Sequence, residues 1–170
     1  NGDLSGYNVY LNATKAIGPK VAVGLVAGRG SGDDDLTSGE GNVNKLKTMG
    51  FFYVTEMWED SIMPDEEGIT PQGLGAPNTR GYRELENTTL VQGNISFKPV
   101  PKLTLFGSYT LIRATEAIRG WADANSNGVI EPSEFTGVTS NDIGQEVDFV
   151  IAYNLYKPLE LALRGGYFMA

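Results

Sequence analysis

The sequence predicts an all-β protein: an antiparallel transmembrane β-barrel of which this chain supplies about six or seven strands. Three observations lead to this prediction. Six segments alternate apolar and polar residues with period two, and they are about as long as the 9–11 residues that a membrane-spanning strand needs. The connections alternate between short turns and long polar loops, so we expect short periplasmic turns and long extracellular loops.

The first pair of predicted strands is YNVYLNATKA and KVAVGLVAG, joined around IGPK. Val9, Leu11 and Ala13 share one face of the first strand. The residues that share one face of the second strand are Val21, Val23, Leu25 and Ala27. Because successive side chains of a strand point to opposite faces, each strand has one apolar face and one polar or small-residue face.

The second pair is NTTLVQGNISF and KLTLFGSYTLIR, and the third pair is EVDFVIAYNLY and LELALRGGYF. The turns within these pairs are KPVPK and KPLE. The predicted apolar face carries Val91, Ile95, Phe97, Leu103, Leu105, Tyr109, Leu111, Val147, Phe149, Ile151, Tyr153, Leu155, Leu159, Leu161, Leu163 and Tyr167. A seventh candidate strand, over residues 45–60, alternates less cleanly because four apolar residues follow one another from Phe51 to Val54.

Alternation by itself is shared with a soluble β-sandwich, in which two apolar faces meet in a core. Two further features favour the barrel. The polar face is rich in small neutral residues and poor in the Lys and Glu that a soluble surface carries. Aromatic residues gather near strand ends, where an interfacial girdle would place them: Tyr7, Phe97, Tyr109, Tyr153, Tyr156 and Tyr167.

The composition excludes several classes of function. A formal net charge of −8 argues against nucleic acid as a partner, because phosphate binding needs a basic footprint. The chain has no Cys and no His, which removes disulfides, thiolate metal sites, imidazole ligands and the commonest general base. The remaining Asp, Glu, Ser and Lys residues form no pattern typical of an active site, so we expect a protein that is not an enzyme.

The stretch DANSNGVIEPSE, from Asp123 to Glu134, matches the calcium loop of an EF-hand. That motif needs oxygen ligands at positions 1, 3, 5, 7, 9 and 12 and a Gly at position 6, which is Gly128 here. The predicted ligands are Asp123, Asn125, Asn127, the Val129 carbonyl, Glu131 and Glu134. No amphipathic helix flanks the loop, so we expect a structural calcium ion that stiffens an extracellular loop insert over residues 117–141. A polar loop without a metal is the alternative.

The long connection between the first and second pairs contains Met57, Trp58 and Met63 among acidic residues. Residues 57–80 either fold into a pore as a constriction or form an extracellular loop with its own apolar cluster. The sequence leaves this choice open.

Three stretches carry a family resemblance: GLVAGRGSGDDD, NTTLVQGNISFKPVPKLTLFGSYTLIRATEA and DIGQEVDFVIAYNLYKPLELALRGGYF. They resemble the C-terminal half of Gram-negative outer-membrane barrels of the alginate-export type. The resemblance implies a large barrel with a polar lumen. Family members line this lumen with basic residues, whereas the predicted lumen here carries Arg164 together with Glu146, Asp148 and Glu160. This mixed lining argues against alginate or another polyanion as the substrate.

We therefore expect a porin-like channel in the outer membrane of a Gram-negative bacterium, in contact with lipid and lipopolysaccharide. It would allow passive passage of small polar solutes or export of a polymer, and residues 1–170 would be one region of a larger barrel. A homo-oligomer and a barrel that encloses a partner protein are both compatible with the sequence. The alternative function is a soluble or surface-exposed calcium-binding β-sandwich with a structural or adhesive role.

Overall fold

The computed structural model describes residues 5–32, 54–55, 57, 69–70, 73–74, 85, 87–126 and 132–170. Within these residues the strands are β1 Asn8–Ala16, β2 Val21–Gly30, β3 Ile69–Thr70, β4 Gly73–Leu74, β5 Thr88–Val100, β6 Leu103–Trp121, β7 Phe135–Tyr156 and β8 Leu159–Met169. A turn of 3₁₀ helix, Pro132–Glu134, precedes β7. No helix in the described part of the chain combines the length and the apolar character needed to cross a membrane.

Six strands form one antiparallel sheet in the order β1-β2-β5-β6-β7-β8, which confirms the all-β, antiparallel prediction. The short strands β3 and β4 pair only with each other in this description. The strands of the large sheet follow one another in space in the same order as along the chain, so the sheet is an up-and-down meander. Over the described residues β1 and β8 do not pair with each other, and the sheet is open.

The short turns lie at one end of the sheet, at residues 17–20, 101–102 and 157–158. A backbone hydrogen bond closes the first turn, since Ile17 N donates to Val21 O at 2.8 Å. Another one links the turn at 101–102 to β7, since Asn154 N donates to Lys102 O at 2.8 Å. Because the strands are antiparallel, the connections from β2 to β5 and from β6 to β7 leave the opposite end. The asymmetry of connection length is therefore as predicted.

The strand register joins the predicted apolar positions into rows on one face of the sheet. Ile95, Gly107, Phe149 and Gly165 pair across four strands in one such row. A Cβ built on Gly165 would lie 2.8 Å from two ring atoms of Phe149, so this ring covers the glycine. The row is open to the surroundings, with 49% of Ile95 and 44% of Phe149 exposed. We call this side of the sheet the apolar face.

Burial is concentrated on the opposite side, which we call the polar face. Its buried polar residues include Gln92, Ser108, Thr110, Glu146 and Asp148. Two small apolar clusters accompany them. The residues of these clusters are Val26, Leu85 and Leu90 with Val54, and Ile112, Ala114 and Ile143 with Ile118 and Phe168. The sheet thus buries polar side chains and exposes apolar ones, the reverse of the arrangement in a soluble core.

The β6–β7 hairpin extends past its neighbours. On β6, pairing with β5 reaches Ala114, and on β7, pairing with β8 reaches Gln145. β6 and β7 continue to pair with each other as far as Trp121 and Phe135. The loop insert predicted over 117–141 is therefore shorter, because residues 117–121 and 135–141 are strands and the connection is 122–134. Backbone hydrogen bonding between the two strands maintains the extended conformation where the sequence shows no apolar alternation.

Two other predictions change for local reasons. Of the candidate strand over residues 45–60, Val54, Thr55 and Met57 are described and none of them is in a strand; its other residues lie outside the described part. The sequence predicts Tyr109 near a strand end. Because β6 runs on to Trp121, Tyr109 lies inside the strand, in one row with Val147 and Tyr167.

Candidate functional site

The polar face carries a group of hydrogen-bonding side chains contributed by β5, β6 and β7. We call it the polar cluster: Gln92, Asn94, Ser108, Thr110, Glu146 and Asp148. The register places Gln92, Thr110 and Glu146 in one row across the three strands. The other three residues form the next row, two positions along each strand. Period-two spacing therefore directs all six side chains to the same side of the sheet.

Direct hydrogen bonds connect the polar cluster. Gln92 Nε2 donates to Thr110 Oγ1 at 3.1 Å, and Asn94 Nδ2 donates to Gln92 Oε1 at 3.1 Å. Ser108 Oγ donates to Asp148 Oδ2 at 3.1 Å. The two carboxylates are almost completely covered, with exposed fractions of 0% for Glu146 and 2% for Asp148. Buried carboxylates need hydrogen-bond donors, and within the cluster Ser108 supplies one to Asp148.

A chain segment lies over the polar cluster, and we call its described residues Val54, Thr55 and Met57 the inner segment. Gln92 Nε2 donates to Val54 O at 2.7 Å, and Met57 N donates to Glu146 Oε1 at 2.5 Å. Thr55, between them, is 3% exposed. The sequence left the position of residues 57–80 open, and Met57, the first of them, lies against the polar face.

Gly166 makes room for the inner segment. A Cβ built on this residue would lie 2.7 Å from Met57 Cγ and 2.6 Å from Asp148 Oδ1. A side chain at residue 166 would displace Met57 Cγ or Asp148 Oδ1 from these positions. The sequence indicates that residue 166 belongs to the polar face, but it contains no signal for the contact with Met57.

The predicted calcium loop is closed by its last residue. Ala124 N donates to Glu134 Oε1 at 3.0 Å, and Ala122 N donates to Glu134 O at 3.0 Å. Glu134 is buried. Near the start of the loop, Ser126 has φ 58, a left-handed conformation that bends the chain sharply. The carboxylate at motif position 12 therefore reaches the backbone at motif position 2, between the predicted ligands Asp123 and Asn125.

Of the predicted ligands, Asp123, Asn125 and Glu134 are described, whereas Asn127, Val129 and Glu131 lie outside the described residues. Within the described ranges, no three acidic residues are grouped closely enough to hold a metal ion. The motif contributes only two carboxylates, those of Asp123 and Glu134, to these ranges. The described predicted ligands, Asp123, Asn125 and Glu134, can each offer a side-chain oxygen atom, which is the ligand type that calcium prefers.

No protein-family model, no curated protein and no solved structure matches this chain.

Proposed function

We propose that this chain forms part of the wall of a porin-like outer-membrane barrel through which small polar solutes pass without catalysis. The inverted distribution of side chains carries this proposal. The apolar face leaves large residues exposed on neighbouring strands, among them Val91, Leu111, Val147, Ile151 and Leu163. Soluble monomers rarely expose a contiguous apolar surface of more than a few hundred Å². A lipid environment accounts for such a face, and a polar lumen accounts for the other one.

The height of the apolar face supports the same proposal. Val138 is exposed separately in the part of β7 that extends past β8, and where β7 pairs with β8, an alternating row of exposed apolar residues runs from Val147 to Leu155. This length of antiparallel strand rises about 27 Å, or about 21 Å along the bilayer normal at the usual tilt of barrel strands. The apolar band of outer-membrane barrels is about 25 Å tall. Exposed Tyr153 and Tyr156 lie toward the short-turn end, and exposed Tyr109 and Tyr167 lie toward the other.

A closed barrel needs more strands than these six, because barrel diameter grows with strand number. In the proposed assembly, further strands of the same protein or of other copies pair with the open edges of β1 and β8. A homo-oligomer and a barrel around a partner protein both remain compatible with such an edge.

The alternative, a soluble calcium-binding β-sandwich, requires a second sheet against the apolar face. With Ile95 about half exposed and Leu163 60% exposed, the described sheet gives this alternative no support. The solute class follows from the polar face. Glu146 and Asp148 lie on it and are covered, so their charge acts at a distance and disfavours a polyanion such as alginate relative to small polar solutes.

The proposed barrel has a structural calcium ion in the loop after β6. Glu134, covered and directed back to the loop start, would supply the bidentate carboxylate, and Asp123 and Asn125 would supply further oxygens. Bound calcium would fix the two ends of the loop at the tip of the β6–β7 hairpin. The ion has no part in the passage of solutes.

The test is fractionation of the full-length protein followed by reconstitution. The proposal expects a protein of the outer-membrane fraction that resists carbonate washing, requires detergent and migrates faster on a gel when it is not heated. Vesicles containing it should admit small polar solutes. A protein that remains monomeric in buffer without detergent would overturn the proposal, and the apolar face would then need a covering sheet.

A further inference from the structure

The inner segment crosses the strands of the polar face instead of following one of them. Its contact with Gln92 is on β5 and its contact with Glu146 is on β7, two strands away. Neighbouring strands are 4.7–4.9 Å apart, so the two hydrogen bonds are separated by about 10 Å across the sheet. Met57 reaches still farther, to Gly166 on β8. The segment therefore extends over the inner surface at one level of the proposed lumen.

Both hydrogen bonds join a buried side chain of the polar face to the backbone of the inner segment. The amide of Gln92 has two N–H groups, and they serve Thr110 Oγ1 and Val54 O. The buried carboxylate of Glu146 accepts from the backbone N–H of Met57, a charge-assisted bond that is about twice as strong as a neutral one. Val54 also packs against the apolar cluster of Val26, Leu85 and Leu90.

We propose that Gln92 and Glu146 are positioning residues that hold the inner segment across the polar face, where it narrows the passage for solutes. This inference rests on the proposed porin function. A segment fixed at two points reduces the open cross-section of the proposed lumen at the level of Gln92, Thr110 and Glu146. Release of the segment widens the passage at that level.

Single-channel conductance of the full-length protein in planar bilayers tests the proposal. Glu146→Ala removes the acceptor for Met57 N–H, and Gln92→Glu removes the donor to Val54 O while keeping the side-chain shape. Both variants are expected to raise the conductance. Glu146→Gln keeps an Oε1 acceptor and is expected to stay close to the wild type. Asp142→Ala is the matched control, since it removes an exposed carboxylate far from the inner segment along β7.

A reversible cross-link provides a second measurement. The chain has no cysteine, so a Met57→Cys/Gly166→Cys pair would be its only thiols. The 2.7 Å between Met57 Cγ and a Cβ on Gly166 suits a disulfide once the side chain of Asp148, whose Oδ1 would lie 2.6 Å from that Cβ, has moved aside. In the Glu146→Ala background, oxidation is expected to return the conductance toward the wild-type value, and a reductant is expected to raise it again.

The outcomes separate this proposal from the proposed function. Functional channels whose conductance is the same in wild type, Glu146→Ala and Gln92→Glu would overturn the positioning role and leave the porin function standing. Equal effects of Glu146→Ala and Glu146→Gln, together with a shifted reversal potential, would also overturn it, because charge alone would then control the current. A wild-type protein that forms no channel would overturn both.

Discussion

The side-chain amide of Asn87 pairs with the backbone of Glu116 as a neighbouring strand would. Asn87 Nδ2 donates to Glu116 O at 3.2 Å, and Glu116 N donates to Asn87 Oδ1 at 2.8 Å. Thr115 N donates to Asn87 O at 3.1 Å in addition. Asn87 is fully buried and has φ 48, a left-handed conformation that Asn adopts more readily than most residues. It therefore stabilises β6 beyond the last backbone pair with β5.

Replacement of Asn87 should destabilise the sheet where β5 begins. Asn87→Gly keeps the backbone conformation but leaves the N–H and C=O of Glu116 without these partners, and it is expected to lower the free energy of unfolding by about 1–3 kcal/mol. Asn87→Ala adds about 1 kcal/mol, because alanine resists positive φ. Urea titration in lipid vesicles measures both variants. A Gly variant as stable as the wild type would show that the side-chain bonds contribute nothing.

A charge on the apolar face distinguishes lipid from water at that surface. In a bilayer, Ile151→Lys is expected to lower the free energy of unfolding by about 2–4 kcal/mol, since this residue lies near the middle of the apolar face. Leu155→Lys is the matched variant on the same face of β7, close to the short turn, with an expected loss of about 0–1 kcal/mol.

The two Lys variants should be compared with the wild type in the same vesicles. Ile151 and Leu155 are similarly exposed, at 41% and 44%, so in water both substitutions would stay within about 0.5 kcal/mol. A dependence on position along the strand therefore indicates lipid. Equal, small effects at both positions would argue for a face in contact with water.

Glu134→Gln separates calcium binding from the apo structure of the loop. The Gln Oε1 atom can still accept from Ala124 N–H, so the loop closure seen at Glu134 is retained. The bidentate carboxylate is lost. The Kd for calcium should therefore rise above the 10⁻⁴–10⁻³ M range typical of extracellular calcium modules.

The measurement for this variant is limited proteolysis of the loop, read by mass spectrometry at about 1 mM calcium. Calcium should slow cleavage within residues 122–134 of the wild type and of an Asp142→Asn control, and it should have little effect on Glu134→Gln. Cleavage of the wild type at the same rate with calcium and with a chelator would contradict a metal site here.

The ion pair between Arg113 and Asp142 should contribute little to stability. Arg113 Nε and Nη2 donate to Asp142 Oδ1 at 3.0 and 2.5 Å, but the side chains are 65% and 78% exposed. Water and salt screen such a pair, so a double-mutant cycle with Ala at both positions is expected to give less than about 1 kcal/mol. A larger coupling energy that persists in high salt would show that this pair is shielded from solvent.

The features that depend on local pattern could be predicted from the amino-acid sequence alone. Period-two alternation assigned residues such as Val147 and Asp148 to opposite faces, and the spacing of turn residues distinguished the short turns from the long connections. The calcium-loop motif is likewise local, since all its proposed ligands fall between Asp123 and Glu134. These predictions needed only the geometry of an extended strand and the known order of a metal-binding loop.

Contacts between residues that are distant in the sequence are visible only in the folded chain. Met57 and Glu146 are separated by 89 positions, and no periodicity indicates that they meet. The continuation of β6 to Trp121 depends on backbone pairing with β7, which leaves no apolar pattern in the side chains. Which face is covered also depends on the packing of other segments, because alternation separates two faces but does not specify what each one contacts.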